Sequence, residues 1–155
     1  MKKTAIWVFV VILVSFVAAY AQDNEPLTFQ DFIEGKEAFE DNCIECHSLE
    51  WPIKKITDRA GWEETLTKMA NTGAVLSKKN RRQVLEYLVA KSMFQQNCSL
   101  CHGLERPLEK NKEFQAWIET VRRMSAKKPD LLTEEEIKAV SGFLTAKGAE
   151  KGLYW

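Results

Sequence analysis

Cys43-Ile44-Glu45-Cys46-His47 and Cys98-Ser99-Leu100-Cys101-His102 contain all four cysteines and both histidines of a 155-residue chain. Two thiols three residues apart on a helical turn can add across the two vinyl groups of one porphyrin, and the next residue then offers an imidazole nitrogen to its iron. Each stretch reads C-x-x-C-H, the pattern for covalent attachment of a c-type haem. A bare C-x-x-C also serves thiol–disulfide catalysts and zinc knuckles. A dithiol catalyst would sit in a βαβ pattern, of which the chain has no sign. A zinc site drawn from both cysteine pairs would leave the repeated histidines without a purpose. Two c-type haems are therefore the expected cofactors.

His47 and His102 fill one axial position each, and with no third histidine the chain cannot supply bis-histidine ligation. The sixth position falls to Met, Lys, water or nothing. Behind the apolar N-terminal run there are three methionines, Met69, Met93 and Met124. Met69 and Met124 each lie 22 residues after their histidine, on a helix face shared with Trp62 or Trp117. A methionine on an apolar face is commonly a gap-filler. Recurrence at the same offset in both copies points instead to axial ligation by Met69 and Met124. A thioether raises the reduction potential, and a filled sixth position keeps small molecules off the iron. That favours electron transfer over catalysis. Trp62 and Trp117 are expected either to pack against the porphyrin, with the indole N–H free for a propionate, or to serve as plain core. Each imidazole Nδ1–H needs an acceptor, for which a carbonyl near Pro52 or Pro107 is the natural candidate.

The elements that position these residues come twice. At an offset of 55, Phe39, Asn42, Leu49, Glu50, Pro52, Trp62, Glu64, Thr65, Met69 and Leu76 recur as Phe94, Asn97, Leu104, Glu105, Pro107, Trp117, Glu119, Thr120, Met124 and Leu131. The chain is a tandem duplication. Thr28 with Asp31 marks the start of a helix carrying Phe29, Phe32, Ile33 and Phe39, which ends near the first motif. Residues 49–58, with Pro52, read as a loop. A second helix begins around Gly61 and carries Trp62, Leu66 and Met69 on one face; its second copy carries Trp117, Val121 and Met124. Gly73 ends the first copy and Pro129 the second. A third helix starts at Ser77 and meets no Gly or Pro before Asn97. The helix closing repeat one is thus expected to open repeat two, unless it kinks near Lys91. Thr133-Glu134-Glu135-Glu136 is a capping box for the last helix. No stretch alternates apolar and polar residues, so the expected fold class is all-α. Units of this size bury too little surface to fold securely alone, and a chain with Cys43 and Cys98 changed to Ala is expected to be largely unfolded.

Charge is balanced, with 22 acidic and 22 basic residues, which argues against nucleic acid as a partner. Lys2-Lys3, the apolar run from Ala5 to Tyr20 and the small-x-small Ala19-Tyr20-Ala21 have the order of a secretory signal peptide. Cleavage after Ala21 is the expectation, with periplasmic localisation. An uncleaved run would instead tie the chain to a membrane. The expected division is residues 1–21 as signal peptide, 22–90 and 91–147 as the two units, and 148–155 as a tail ending Leu-Tyr-Trp. Lys78, Lys79, Arg81 and Arg82 form a basic cluster that reads as a docking patch or a solvated face.

These motifs resemble tandem dihaem c-type cytochromes. Each unit is similar to the short cytochrome c domains in which a W-x6-M helix follows C-x-x-C-H, over roughly residues 29–144. The resemblance implies two tandem cytochrome c-like helical haem-binding units. It further implies thioether attachment at Cys43, Cys46, Cys98 and Cys101, proximal ligation by His47 and His102, and distal ligation by Met69 and Met124. The implied function is relay of single electrons between a redox donor and an acceptor protein, at a rate set by haem spacing and potential, with no catalytic residue. Alternatives are the electron-transfer subunit of a larger dehydrogenase or oxidase assembly, and a small haem enzyme or sensor with one open iron position.

Overall fold

Short polar side chains start four of the described helices. The computed structural model describes residues 26–149; the expected signal peptide and Leu153-Tyr154-Trp155 lie outside the described residues. Thr28 precedes α1 (Phe29–Cys43), and both its backbone N–H and its hydroxyl donate to Asp31 Oδ2 at 2.8 Å. Asp58 Oδ1 accepts the Gly61 N–H at 2.9 Å and starts α3 (Arg59–Asn71). Ser77 Oγ accepts the Asn80 N–H and starts α4 (Lys78–Cys98). Thr133 and Glu136 close a reciprocal capping box at the head of α7 (Glu134–Ala149). Each such cap satisfies backbone donors that the helix cannot pair internally. At the other end of α3, Gly73 takes φ +111°, and the following Ala74 N–H reaches back to Met69 O. That is the left-handed stop that glycine permits.

A short helix occupies the stretch read as a loop, and a second lies at the matching place in repeat two. They are α2 (Glu50–Lys54) and α5 (Glu105–Leu108). Pro52 and Pro107 sit in the first turn of each, where no intrahelical N–H bond is lost, so proline does not forbid the turn. With α6 (Phe114–Ser125) the described residues make seven helices and no strand. The fold is all-α.

The repeat is visible in the element order. The C-terminal half of α4 stands to α5, α6 and α7 as α1 stands to α2, α3 and the N-terminal half of α4. α4 is helical over all 21 of its residues, including at Lys91, a length of about 31 Å. The helix closing repeat one is therefore the helix opening repeat two. Helices α1, α4 and α7 pack pairwise on one another, with α3 laid on α4 and α6 on α7. Phe32 and Phe39, Val84, Tyr87, Leu88 and Phe94, and Val140, Phe143 and Leu144 bring buried side chains from all three into one core. Tyr87 lies with ring centroids 6.0 Å from Phe39 and 5.5 Å from Phe143. Each such side chain stabilises the fold by about 1.5–3 kcal/mol relative to exposure.

Two glycines permit the close approach of α1. A Cβ on Gly35 would stand 2.3 Å from Gln83 O on α4, and one on Gly142 would stand 2.3 Å from the Phe32 ring. The head of α4 also makes polar contacts with α1 and α3. Lys79 pairs with Glu34 at 2.8 Å, and Gln83 Nε2 donates to Asp31 and Glu34. Arg81 donates to Thr67 Oγ1 on α3. Positive charge that opposes the α4 dipole is offset by the acidic first half of α1. Among the described residues no helix is long and apolar enough to cross a membrane.

Candidate functional site

Cys43 closes α1 and Cys98 closes α4, so each motif begins where a core helix ends. Both first cysteines are half-buried against the core, while Cys46, His47, Cys101 and His102 are exposed. All four thiols are free. Burial pushes the Cys43 thiol up and that of Cys98 up to about 11, with the second thiol of each motif adding a smaller repulsion. A dithiol catalyst needs the opposite, a thiol made acidic by its surroundings. Among the described residues no three His, Cys, Asp or Glu side chains gather into a metal-ion site. The two cysteine pairs do not form one shared thiolate cluster.

Both imidazoles are held alike. His47 Nδ1 lies 2.9 Å from Ser48 O, and His102 Nδ1 lies 2.7 Å from Gly103 O. A carbonyl only accepts, so Nδ1 carries the proton and Nε2 keeps its lone pair for a metal. The acceptor is the carbonyl next in sequence rather than one near Pro52 or Pro107. In repeat one the Pro52 carbonyl has another partner, the Lys91 ammonium, at 3.1 Å.

The second repeat surrounds a cavity of about 810 Å³ lined by Cys98, Cys101, His102, Trp117 and Met124. Five residues expected from spacing alone to serve one cofactor thus meet at one cavity. Its size lies within the range of pockets that enclose small-molecule ligands. Phe94, Val121 and Leu144 continue the apolar wall. Arg106, Lys110, Lys112, Arg123, Lys127 and Lys128 line it against two carboxylates, Glu105 and Glu109. An apolar wall with a cationic fringe suits a flat, mostly apolar ligand with anionic substituents. Trp117 is 2% exposed, yet its Nε1 has no hydrogen-bond partner. A buried donor without an acceptor is costly, and a ligand carboxylate would satisfy it. Met124 is 38% exposed.

The first repeat has the same parts in a different state of pairing. Trp62 is buried, and its Nε1 donates to Ser92 Oγ on α4 at 2.9 Å, as the plain-core alternative allows, rather than standing open to a propionate. Lys55 and Lys91 stand over its ring at 5.2 and 5.5 Å from the centroid. Met69 is half-buried on the same helix. In repeat two, Lys112 stands 5.1 Å over Trp117.

Lys91 and Lys147 hold the segments that follow the two motifs although neither is in a motif. Lys91 is fully buried and donates to Pro52 O and Lys55 O. Lys147, 6% exposed, donates to Leu108 O and Lys110 O. One signal could have found Lys91. It falls at i+7 from Val84 and i+3 from Leu88, on the apolar face of α4.

Comparison of the chain with protein-family models, curated proteins and solved structures finds no match.

Proposed function

We propose that the chain is an exported dihaem c-type cytochrome that relays single electrons between a donor and an acceptor protein. The observation that carries this reading is the cavity shared by Cys98, Cys101, His102, Trp117 and Met124, with the buried Trp117 N–H left without a partner. The 55-residue repeat extends it to Cys43, Cys46, His47, Trp62 and Met69. When bound, each haem iron supplies one reversible electron. The chain does the rest. Four cysteines would hold the two groups by thioethers, so that none is lost on denaturation. His47 and His102, with Nδ1 tied to a backbone carbonyl, would present Nε2 as the proximal ligand. Met69 and Met124 would close the distal side, and Trp62 and Trp117 would wall the cofactors from water.

Export is part of the proposal, because the Lys2-Lys3 head, the apolar run and Ala19-Tyr20-Ala21 have the pattern of a leader. The partners are redox proteins, among them a dehydrogenase or oxidase that the chain could serve as a subunit. The exposure of Met124 favours one second reading, a small haem enzyme or gas sensor whose second iron is open. Visible spectra of the mature holoprotein, oxidised and reduced, with and without carbon monoxide, separate the two. The relay reading expects two low-spin haems, a thioether–iron charge-transfer band and no response to carbon monoxide. A high-spin component that takes up carbon monoxide would replace it with the enzyme or sensor reading.

A further inference from the structure

A buried ammonium with no carboxylate beside it is rare, because desolvating a charge is costly unless it is paired. This fold has one in each repeat. Lys91 Nζ lies 3.1 Å from Pro52 O and 2.6 Å from Lys55 O, and 5.5 Å over the Trp62 ring. Lys147 Nζ donates to Leu108 O and Lys110 O. Among the described residues neither lysine has an ion pair. Both groups bind the same place, the short helix that follows C-x-x-C-H and the residues just after it.

The two lysines are not copies of each other. A shift of 55 from Lys91 reaches Ala146, and Lys147 is the counterpart of Ser92. The contact has been kept while the position that makes it has moved. A second contact behaves the same way. Lys55 caps Thr65 Oγ1 at 2.5 Å beside Trp62, and Lys112, two places out of register, caps Thr120 Oγ1 at 2.8 Å beside Trp117. Packing accidents inherited through duplication would stay in register. Retention across a slipped register points to a requirement of the site.

We propose that Lys91 is the positioning residue of the first site and Lys147 that of the second: each ammonium fastens the turn behind its C-x-x-C-H histidine to the closing helix. The proposal rests on the dihaem reading above. The ammonium supplies donors for two carbonyls at once and fixes where the segment running on from the histidine lies. In its protonated form it also brings positive charge behind that segment, which favours the reduced iron. Lys91 acts through α2 and Trp62 and touches no atom that exchanges electrons.

The test is a spectroelectrochemical titration of the exported holoprotein in its wild-type, K91Q, K91R, K147Q and double K91Q/K147Q forms. Glutamine keeps a donor and loses the charge, while arginine keeps both. K91Q is expected to lower the midpoint of one haem and K147Q that of the other, with both lowered in the double variant. K91R is expected to return toward wild type. Midpoints that stay put, or single variants that each move both haems equally, would overturn the proposal. Should K91Q fail to load haem, loading by K91R supports the role of the ammonium. Failure of both would mean that shape alone matters, and would overturn it. A wild-type chain that carries no haem removes the underlying reading together with the proposal, and this is visible before any variant is made.

Discussion

Met124 and Lys91 are opposite cases of a side chain set at a site boundary. Met124 lines the second cavity and is more than a third exposed, so its side chain contributes little to the core. Replacing it with Ala in the holoprotein should leave the fold intact and open one iron. The expected result is a high-spin fraction of about half the haem that binds carbon monoxide, read by visible spectroscopy. Lys91 is inside, and burial lowers its pKa from the usual 10.5 to about 7. Between those two values the unfolded chain holds a proton that the folded chain has released. The contribution of Lys91 to stability is thus fully present above 10.5 and is lost as the pH falls toward 7. Urea unfolding of the holoprotein should show stability rising from pH 7 toward 10, with a shallower rise in K91Q. An identical slope in the two proteins would contradict the burial of this charge. That Cys98, Cys101, His102 and Met124 would lie together at one cavity was legible from residue type and spacing. Lys147 was not, since a lysine in a helix defaults to solvent and its offset from Lys91 breaks the repeat; Lys91 shows only in its place on the apolar face of α4.

Helix α4 is the element on which both sites depend. Its middle holds the first site through Lys91 and through Ser92, the acceptor for Trp62, and its last residue is Cys98. The segment from Lys91 to Cys98 spans two turns, so a displacement at one site is passed to the other by a rigid rod. The approach of α1 to this rod requires the missing side chain at Gly35, where a Cβ would meet Gln83 O at 2.3 Å. Gly35→Ala should raise helix propensity yet destabilise the protein by about 1–3 kcal/mol through overpacking, measured by denaturant unfolding. A neutral or stabilising result would mean that the α1–α4 seam yields easily. Helix starts at Thr28, Ser77 and Thr133 were legible because capping chemistry is local. Helix α2 was missed because the stretch holding Pro52 read as a loop, although proline in a first turn breaks nothing. In the basic run Lys78–Arg82 the sequence could not show that Lys79 pairs with Glu34, 45 residues away in the chain.

At the scale of the whole molecule, duplication produced one core rather than two. Side chains from α1, α4 and α7 interlock across the repeats, which short units need because each alone buries too little surface. The sites should therefore melt together. On the proposed dihaem reading, changing Cys98 and Cys101 to Ala would leave the second cavity without its filling. Taking about 3–5 kcal/mol for emptying a space walled by large side chains, the melting temperature should fall by roughly 6–20 °C. Loss should come as a single transition by calorimetry and by the absorbance of the remaining haem. Two separated transitions would mean that the repeats are independent despite the shared helix. The central claim, covalent attachment of one haem to each C-x-x-C-H, is most directly tested by the intact mass of the denatured chain. The chain would be purified after export from a host that matures c-type cytochromes. The account predicts a mass increased by two haems, by one in the Cys98→Ala/Cys101→Ala chain, and by none when Cys43 and Cys46 are changed as well. A wild-type mass with no haem added, its four thiols reduced, paired as disulfides or released from zinc, would contradict it.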